Sequence, residues 1–126
     1  MKHEGISQKI IGCAFKVYNS MGYGYLESVY EKCMSIEYSN VGLNYEKKKS
    51  IDVKYKDQNV GHFIADAVVE DKIIVEYKSI QKLNKSHEVQ LVNYLVATGI
   101  DVGILINFGE EKVEIKGKLR SLKEIE

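Results

Sequence analysis

Apolar residues recur at three- and four-residue spacing in three stretches of the chain, and this periodicity predicts three amphipathic helices. They cover about residues 7–21, 26–39 and 86–98, with Ser86 as the N-cap of the third. The glycines expected to end them are Gly22, Gly42 and Gly99. The apolar side of the second helix is predicted to hold Leu26, Val29, Tyr30, Cys33, Met34 and Ile36. That of the third is predicted to hold Val89, Val92, Leu95 and Val96.

Alternating or continuous runs rich in valine and isoleucine predict five strands. Two of these strands form a hairpin within residues 62–79, with the polar residues 70–72 at its turn. The other three are expected at about residues 44–56, 102–107 and 112–116. The order is α-α-β-β-β-α-β-β, which indicates an α/β layered domain with helices packed against a mixed sheet.

The hairpin carries three charged residues among apolar neighbours. A three-residue turn would pair Val69 with Ile73 and set Asp66 opposite Glu76, and Asp71 would then take a positive φ. Because side chains alternate along a strand, two sets of residues are expected on opposite faces. One face would hold Ile64, Asp66, Val68, Ile74, Glu76 and Lys78, and the other Phe63, Ala65, Ala67, Val69, Ile73, Val75 and Tyr77.

Both faces of this hairpin are apolar enough to need burial, so its charges require partners. Two facing carboxylates repel each other and are costly to bury, which favours a cation between Asp66 and Glu76. Carboxylate oxygens suit a hard divalent ion such as Mg²⁺ or Mn²⁺. The alternative is a structural cross-strand cluster in which Lys78 pairs with the two carboxylates.

Composition narrows the class of protein. With 126 residues the chain forms one domain, 1–126, and its charged end, residues 118–126, is expected to be peripheral. Eighteen basic and eighteen acidic residues give zero net charge, which excludes nucleic-acid binding by bulk charge. Any such binding would need a local basic patch.

Cys13 and Cys33 lack zinc spacing and are expected to be free thiols. The chain has neither an apolar run long enough to cross a bilayer nor a signal-peptide core, so a cytoplasmic protein without membrane partners is expected.

Four short motifs in a fixed order resemble a known family. Gly24, Glu27 and Tyr30 match the Gly-x-x-Glu-x-x-Tyr signature of the GxxExxY proteins, a family of the PD-(D/E)XK nuclease superfamily. The other three matches are Asp66 on the second strand, Glu76-Tyr77-Lys78 on the third, and residues 90–95 on the following helix. The resemblance implies a restriction-endonuclease-like, three-layer fold over nearly the whole chain.

The resemblance also implies roles for individual residues. The implied metal ligands are Glu27, Asp66, Glu76 and the backbone carbonyl of Tyr77. Lys78 would orient the attacking water or stabilise charge on the phosphate, and Gln90 would support the site. Residues expected to lie behind the site or to pack around it are Tyr30, His87 and Tyr94.

These roles point to phosphodiester hydrolysis of nucleic acid, with Mg²⁺ or Mn²⁺ as the cofactor and DNA rather than RNA as the expected substrate. The alternative is a domain that keeps the nuclease fold without catalysis and binds nucleic acid or another protein. The resemblance further implies that the chain could act as a homodimer.

Overall fold

A computed structural model describes residues 2–120 and contains the predicted order of elements. The helices are α1 (Glu4–Met21), α2 (Glu27–Asn40) and α3 (Lys85–Thr98). The strands are β1 (Tyr45–Tyr55), β2 (Gln58–Val69), β3 (Ile73–Lys78), β4 (Val102–Phe108) and β5 (Val113–Leu119). Lys118 and Leu119 belong to β5, so the expected peripheral tail is corrected at its start. Residues 121–126 of that tail lie outside the described residues.

The five strands form one mixed sheet in the order β1-β2-β3-β4-β5. Neighbouring strands are antiparallel except β3 and β4, which are parallel and are connected through α3. One face of the sheet packs against α1 and α2, and the other packs against α3. Along β3, Ile73, Val75 and Tyr77 join the first core while Ile74 joins the second. This three-layer α/β arrangement confirms the predicted fold class.

The β2–β3 hairpin has the predicted register. Val69 pairs with Ile73, and the Lys72 N–H donates to the Val69 carbonyl across the turn at 3.0 Å. Asp71 takes the expected positive φ of 57°, and Glu70 has a positive φ of 55° as well. Two consecutive residues of this conformation give the tight turn a twist that matches the flanking strands.

The regular alternation of side chains along β2 is broken at Asp66. Phe63 and Ala65 pack in the core beneath α3, whereas Ala67 and Val69 pack in the core beneath α1 and α2. The prediction that these four residues share one face is therefore wrong. A change of face within three residues requires a departure from ideal strand geometry, and Asp66 lies between the two sets.

Two helices bury only part of the apolar side that their spacing predicted, and each also buries a residue outside it. In α3 the buried residues are Leu91 and Leu95, while Val89 and Val96 are exposed. In α2 the buried residues are Tyr30, Met34 and Tyr38, while Leu26 and Ile36 are exposed. Both helices are short and mixed in character, so their apolar residues define the buried side poorly.

Cys13 is buried and Cys33 is partly buried, and both are free thiols as predicted. Within residues 2–120, none of the helices combines the length and the apolar character needed to cross a membrane.

Candidate metal centre

The connection between α1 and α2 determines where α2 begins. Gly22 and Gly24 have φ values of 70° and 116°, which side-chain-bearing residues rarely adopt. The carbonyl of Tyr25 accepts a hydrogen bond from the Ser79 hydroxyl at 2.8 Å, which ties this connection to the chain just after β3. Glu27 then lies in the first turn of α2, close to the end of β3.

Tyr30 holds the same connection from inside the protein. Its ring is fully buried and stacks on Phe108, with 4.4 Å between the ring centroids. Its hydroxyl donates to the Gly22 carbonyl at 2.5 Å and accepts from the Tyr25 N–H at 3.4 Å. The Gly24, Glu27 and Tyr30 signature thus acts as one unit, in which the tyrosine fixes the turn that positions the acid. Tyr30 is a packing residue, one of the two roles expected for it.

Three carboxylates come together beside the hairpin. One oxygen each from Glu27, Glu31 and Asp66 lies within 4.8 Å of the other two. Glu27 and Glu31 are one helical turn apart on α2, and β2 brings Asp66 to them. Sequence reasoning missed Glu31, although its four-residue spacing from Glu27 places both on one side of the helix. We call these three residues the carboxylate cluster.

Asp66 and Glu76 meet where the β2–β3 ladder ends. The last paired residues are Ala67 and Val75. Beyond them the Asp66 N–H donates to the Glu76 carboxylate at 2.8 Å, and the Tyr77 N–H donates to the Asp66 carboxylate at 2.9 Å. Each carboxylate therefore accepts a hydrogen bond from a backbone N–H that would otherwise go to a backbone carbonyl of the opposite strand. Glu76 contacts the Asp66 backbone and is not one of the three clustered acids, so the structure groups Glu31, rather than Glu76, with Glu27 and Asp66.

Burial makes these acids hard to ionise. Desolvation raises the pKa of Asp66 to about 6. The hydrogen bond from the Tyr77 N–H opposes this shift, and the nearby Glu31 carboxylate reinforces it. Desolvation and the charge of Asp66 raise the pKa of Glu76 to about 8. Desolvation also raises the pKa of Glu27, although the Lys78 ammonium opposes this shift. The site would therefore gain from a cation that favours the ionised acids.

These shifts predict a pH dependence of stability in metal-free buffer. The folded chain binds protons at Asp66 and Glu76 more tightly than the unfolded chain, so raising the pH must destabilise the fold. We expect the free energy of unfolding to fall by at least about 2 kcal/mol between about pH 5 and pH 8. Urea titrations in EDTA at several pH values would measure it. Glu76→Gln should flatten most of the slope, and an unchanged slope in this variant would contradict the assignment to Glu76.

Three other predicted site residues lie around the acids. The charge of Lys78 lowers the pKa of both Glu27 and Glu76, which places its ammonium near both carboxyls. Tyr94 is hydrogen-bonded to Gln90, and burial and the charges of Glu76 and Asp66 raise its pKa. Tyr94 thus approaches the acids from α3, and the exposed Gln90 is linked to them only through Tyr94.

Tyr94 is also locked by a second aromatic ring. It stacks on Phe63 of β2 with 3.6 Å between centroids, just before the break in that strand. The contact fixes α3 against the hairpin near the acids.

The His87 ring contacts the residue that caps α3. Its Nδ1 accepts the Asn84 N–H at 3.2 Å, and the Asn84 side chain accepts the Ser86 N–H at 3.0 Å. Together these bonds form the cap of α3, so Asn84 is the N-cap and the prediction of Ser86 is wrong. His87 thus caps the start of α3, and its place behind the metal site stays a prediction.

Tyr77 takes part in the site through its backbone. Its side chain is in the core, where its hydroxyl lies 2.6 Å from the hydroxyl of Tyr38. Its N–H holds Asp66, as described above. The role of its carbonyl as a metal ligand stays a prediction.

Comparison with known proteins places this arrangement in a family. No curated protein matches the chain. The crystal structure of SSO0001 is similar, with a TM-score of 0.56 and 18% identity over 73% of this chain and 48% of that chain. This likeness concerns the fold alone, and the chain spans about half the length of that protein. The family model described as the PD-(D/E)XK nuclease superfamily matches residues 4–118, so the chain belongs to the PD-(D/E)XK nuclease superfamily.

Proposed function

We propose that this chain is a nuclease that hydrolyses phosphodiester bonds of nucleic acid, DNA rather than RNA, with Mg²⁺ or Mn²⁺. The observation that carries the proposal is the carboxylate cluster, with three acidic oxygens within 4.8 Å of one another. Membership of a nuclease superfamily supports the class of reaction. The finer GxxExxY assignment, on Gly24, Glu27 and Tyr30, is part of the proposal.

The donor set fits a hard divalent ion. Glu27, Glu31 and Asp66 offer only carboxylate oxygens, the ligands that Mg²⁺ and Mn²⁺ prefer over softer nitrogen or sulfur sites. Placing three acids so close together is costly without a cation. These three residues would hold the ion, with the Tyr77 carbonyl as a further oxygen. A cation there favours the ionised form of nearby acids and would thereby recruit Glu76 as well.

When bound, such an ion activates water and stabilises charge on the phosphate. The chain itself would supply orientation. The Tyr77 N–H holds the Asp66 carboxylate, and the buried Tyr30 holds the turn that carries Glu27. Lys78, whose charge acts on both Glu27 and Glu76, would place an ammonium beside the scissile phosphate. Gln90 would support the site through its hydrogen bond to Tyr94.

The proposal also covers how the chain attracts its substrate, where it acts and in what oligomeric state. Zero net charge means that local lysines, rather than an overall positive field, must attract the phosphate backbone. We propose a cytoplasmic location and, because two strands of a duplex need two cuts, action as a homodimer.

A cleavage assay tests the proposed activity. Single- and double-stranded DNA and RNA would be incubated with the chain in Mn²⁺, Mg²⁺ or EDTA. We expect cleavage with either ion, faster on DNA, and none in EDTA. The matched control is Glu27→Gln, purified in the same way, which removes one acid of the cluster. Cleavage that persists in EDTA or in this variant would overturn the proposal.

The second candidate is a non-catalytic domain that binds nucleic acid or protein. One observation favours it: the Lys48 ammonium lies 2.9 Å from Glu31 and 3.8 Å from Asp66, so the cluster has a cation from the chain itself. This function predicts retention of nucleic acid on a filter at low salt, or of a protein partner, without cleavage in any metal.

A further inference from the structure

Lys48 lies in β1 directly beside Asp66. Lys47 pairs with Ala67 and Lys49 pairs with Ala65, so Lys48 is opposite Asp66 in the register. Its φ is 54°, an uncommon conformation for a residue with a side chain, and Lys48 coincides with the break in alternation on β2. An irregularity of each strand therefore occurs at this one pair of residues, one basic and one acidic.

The Lys48 ammonium reaches the carboxylate cluster from outside. Its Nζ donates to Glu31 Oε1 at 2.9 Å and lies 3.8 Å from Asp66 Oδ1. The Lys48 side chain is 59% exposed, whereas those of Glu31 and Asp66 are each 14% exposed. A largely solvated side chain thus brings its charged end onto two mostly buried acids.

We infer that Lys48 is the resident cation of the carboxylate cluster and that a divalent ion must displace its ammonium to bind. The inference rests on the proposed metal site. An ammonium and a metal ion use the same carboxylate lone pairs, and their like charges repel each other at short range. Because the Lys48 side chain is mostly in water, it can rotate away with little loss of packing.

Lys48 therefore sets the affinity of the site for metal. Without metal, the Lys48 ammonium offsets the repulsion among the three close acids. When metal is present, the ammonium competes with the ion for the same carboxylate oxygens. Lys49 directly follows Lys48 on the same strand and has a different role. It pairs with Glu46 at 3.9 Å. Lys49 provides a matched control because it has the same charge and strand without the contact to the cluster.

Calorimetric titration with Mn²⁺ tests the inference directly, without any substrate. The proteins are the wild type, Lys48→Gln, Lys49→Gln and Asp66→Asn, each checked for folding by thermal unfolding. We expect Lys48→Gln to bind Mn²⁺ about fivefold more tightly than the wild type, the scale of one partly exposed ion pair. Lys49→Gln should match the wild type within about twofold.

The outcomes separate this inference from the metal site on which it rests. Equal or weaker Mn²⁺ binding by Lys48→Gln, with binding in the wild type lost in Asp66→Asn, would overturn the role of Lys48 and leave the metal site intact. Equal tightening in Lys49→Gln would also overturn it, because the effect would then come from net charge. Absence of binding in all four proteins would overturn both the metal site and the competition.

Discussion

Asp66→Asn is expected to reduce metal-dependent cleavage at least about 100-fold. The substitution removes the charge at the centre of the carboxylate cluster, and changes to groups that merely support a metal ligand already cost 10- to 100-fold. Asparagine keeps an oxygen that can accept the Tyr77 N–H, so the hairpin should retain its structure. Initial rates of DNA cleavage in saturating Mn²⁺ would measure the loss.

A stability measurement separates this result from misfolding. Asp66 has a raised pKa, so its replacement by a neutral amide should leave stability unchanged or higher above about pH 6. The matched control is Asp52→Asn, which removes a half-exposed acid of β1 that pairs with His62. Cleavage by Asp66→Asn at a rate close to that of Asp52→Asn would contradict the role given to Asp66.

Tyr30→Ala should lower the free energy of unfolding by about 3–5 kcal/mol, the usual cost of deleting a large buried aromatic ring. The ring is fully buried, stacks on Phe108 and carries the hydroxyl that closes the α1–α2 connection. Urea unfolding, with the midpoint and slope compared between variants, would measure the loss.

Tyr30→Phe separates the ring from its hydroxyl. This variant keeps the stacking on Phe108 and loses the bonds to Gly22 and Tyr25, so we expect a smaller cost of about 1 kcal/mol. It should also weaken Mn²⁺ binding, because the turn that positions Glu27 loses a fixed contact. A cost below about 1 kcal/mol for Tyr30→Ala would show that this tyrosine does not anchor the connection.

Local patterns predicted the fold well. The order of elements follows from periodicity, and the hairpin register follows from the length of a polar turn in which Asp71 accepts a positive φ. Such features depend on neighbours along the chain, which the sequence displays directly. The family resemblance added the identity of the site residues, of which Glu27 and Asp66 do meet in space.

The parts that could not be predicted depend on contacts between distant segments. Glu31 resembles an ordinary surface acid of a helix until β1 and β2 pack beside it. Lys48 resembles one member of a lysine run that protects a sheet edge, and only its positive φ and its register with Asp66 turn it onto the acids. Strict alternation then fails in β2, because it assumes a regular strand on both sides of Asp66.

Thermal unfolding with and without Mn²⁺ tests the central claim, that the carboxylate cluster binds a divalent ion. At one hundred times the dissociation constant, Mn²⁺ should stabilise the wild type by about 2.7 kcal/mol, a shift of roughly 10 °C for a domain of this size. Asp66→Asn should show little or no shift. An equal shift in both proteins, or none in the wild type at millimolar Mn²⁺, would contradict a metal site at this cluster.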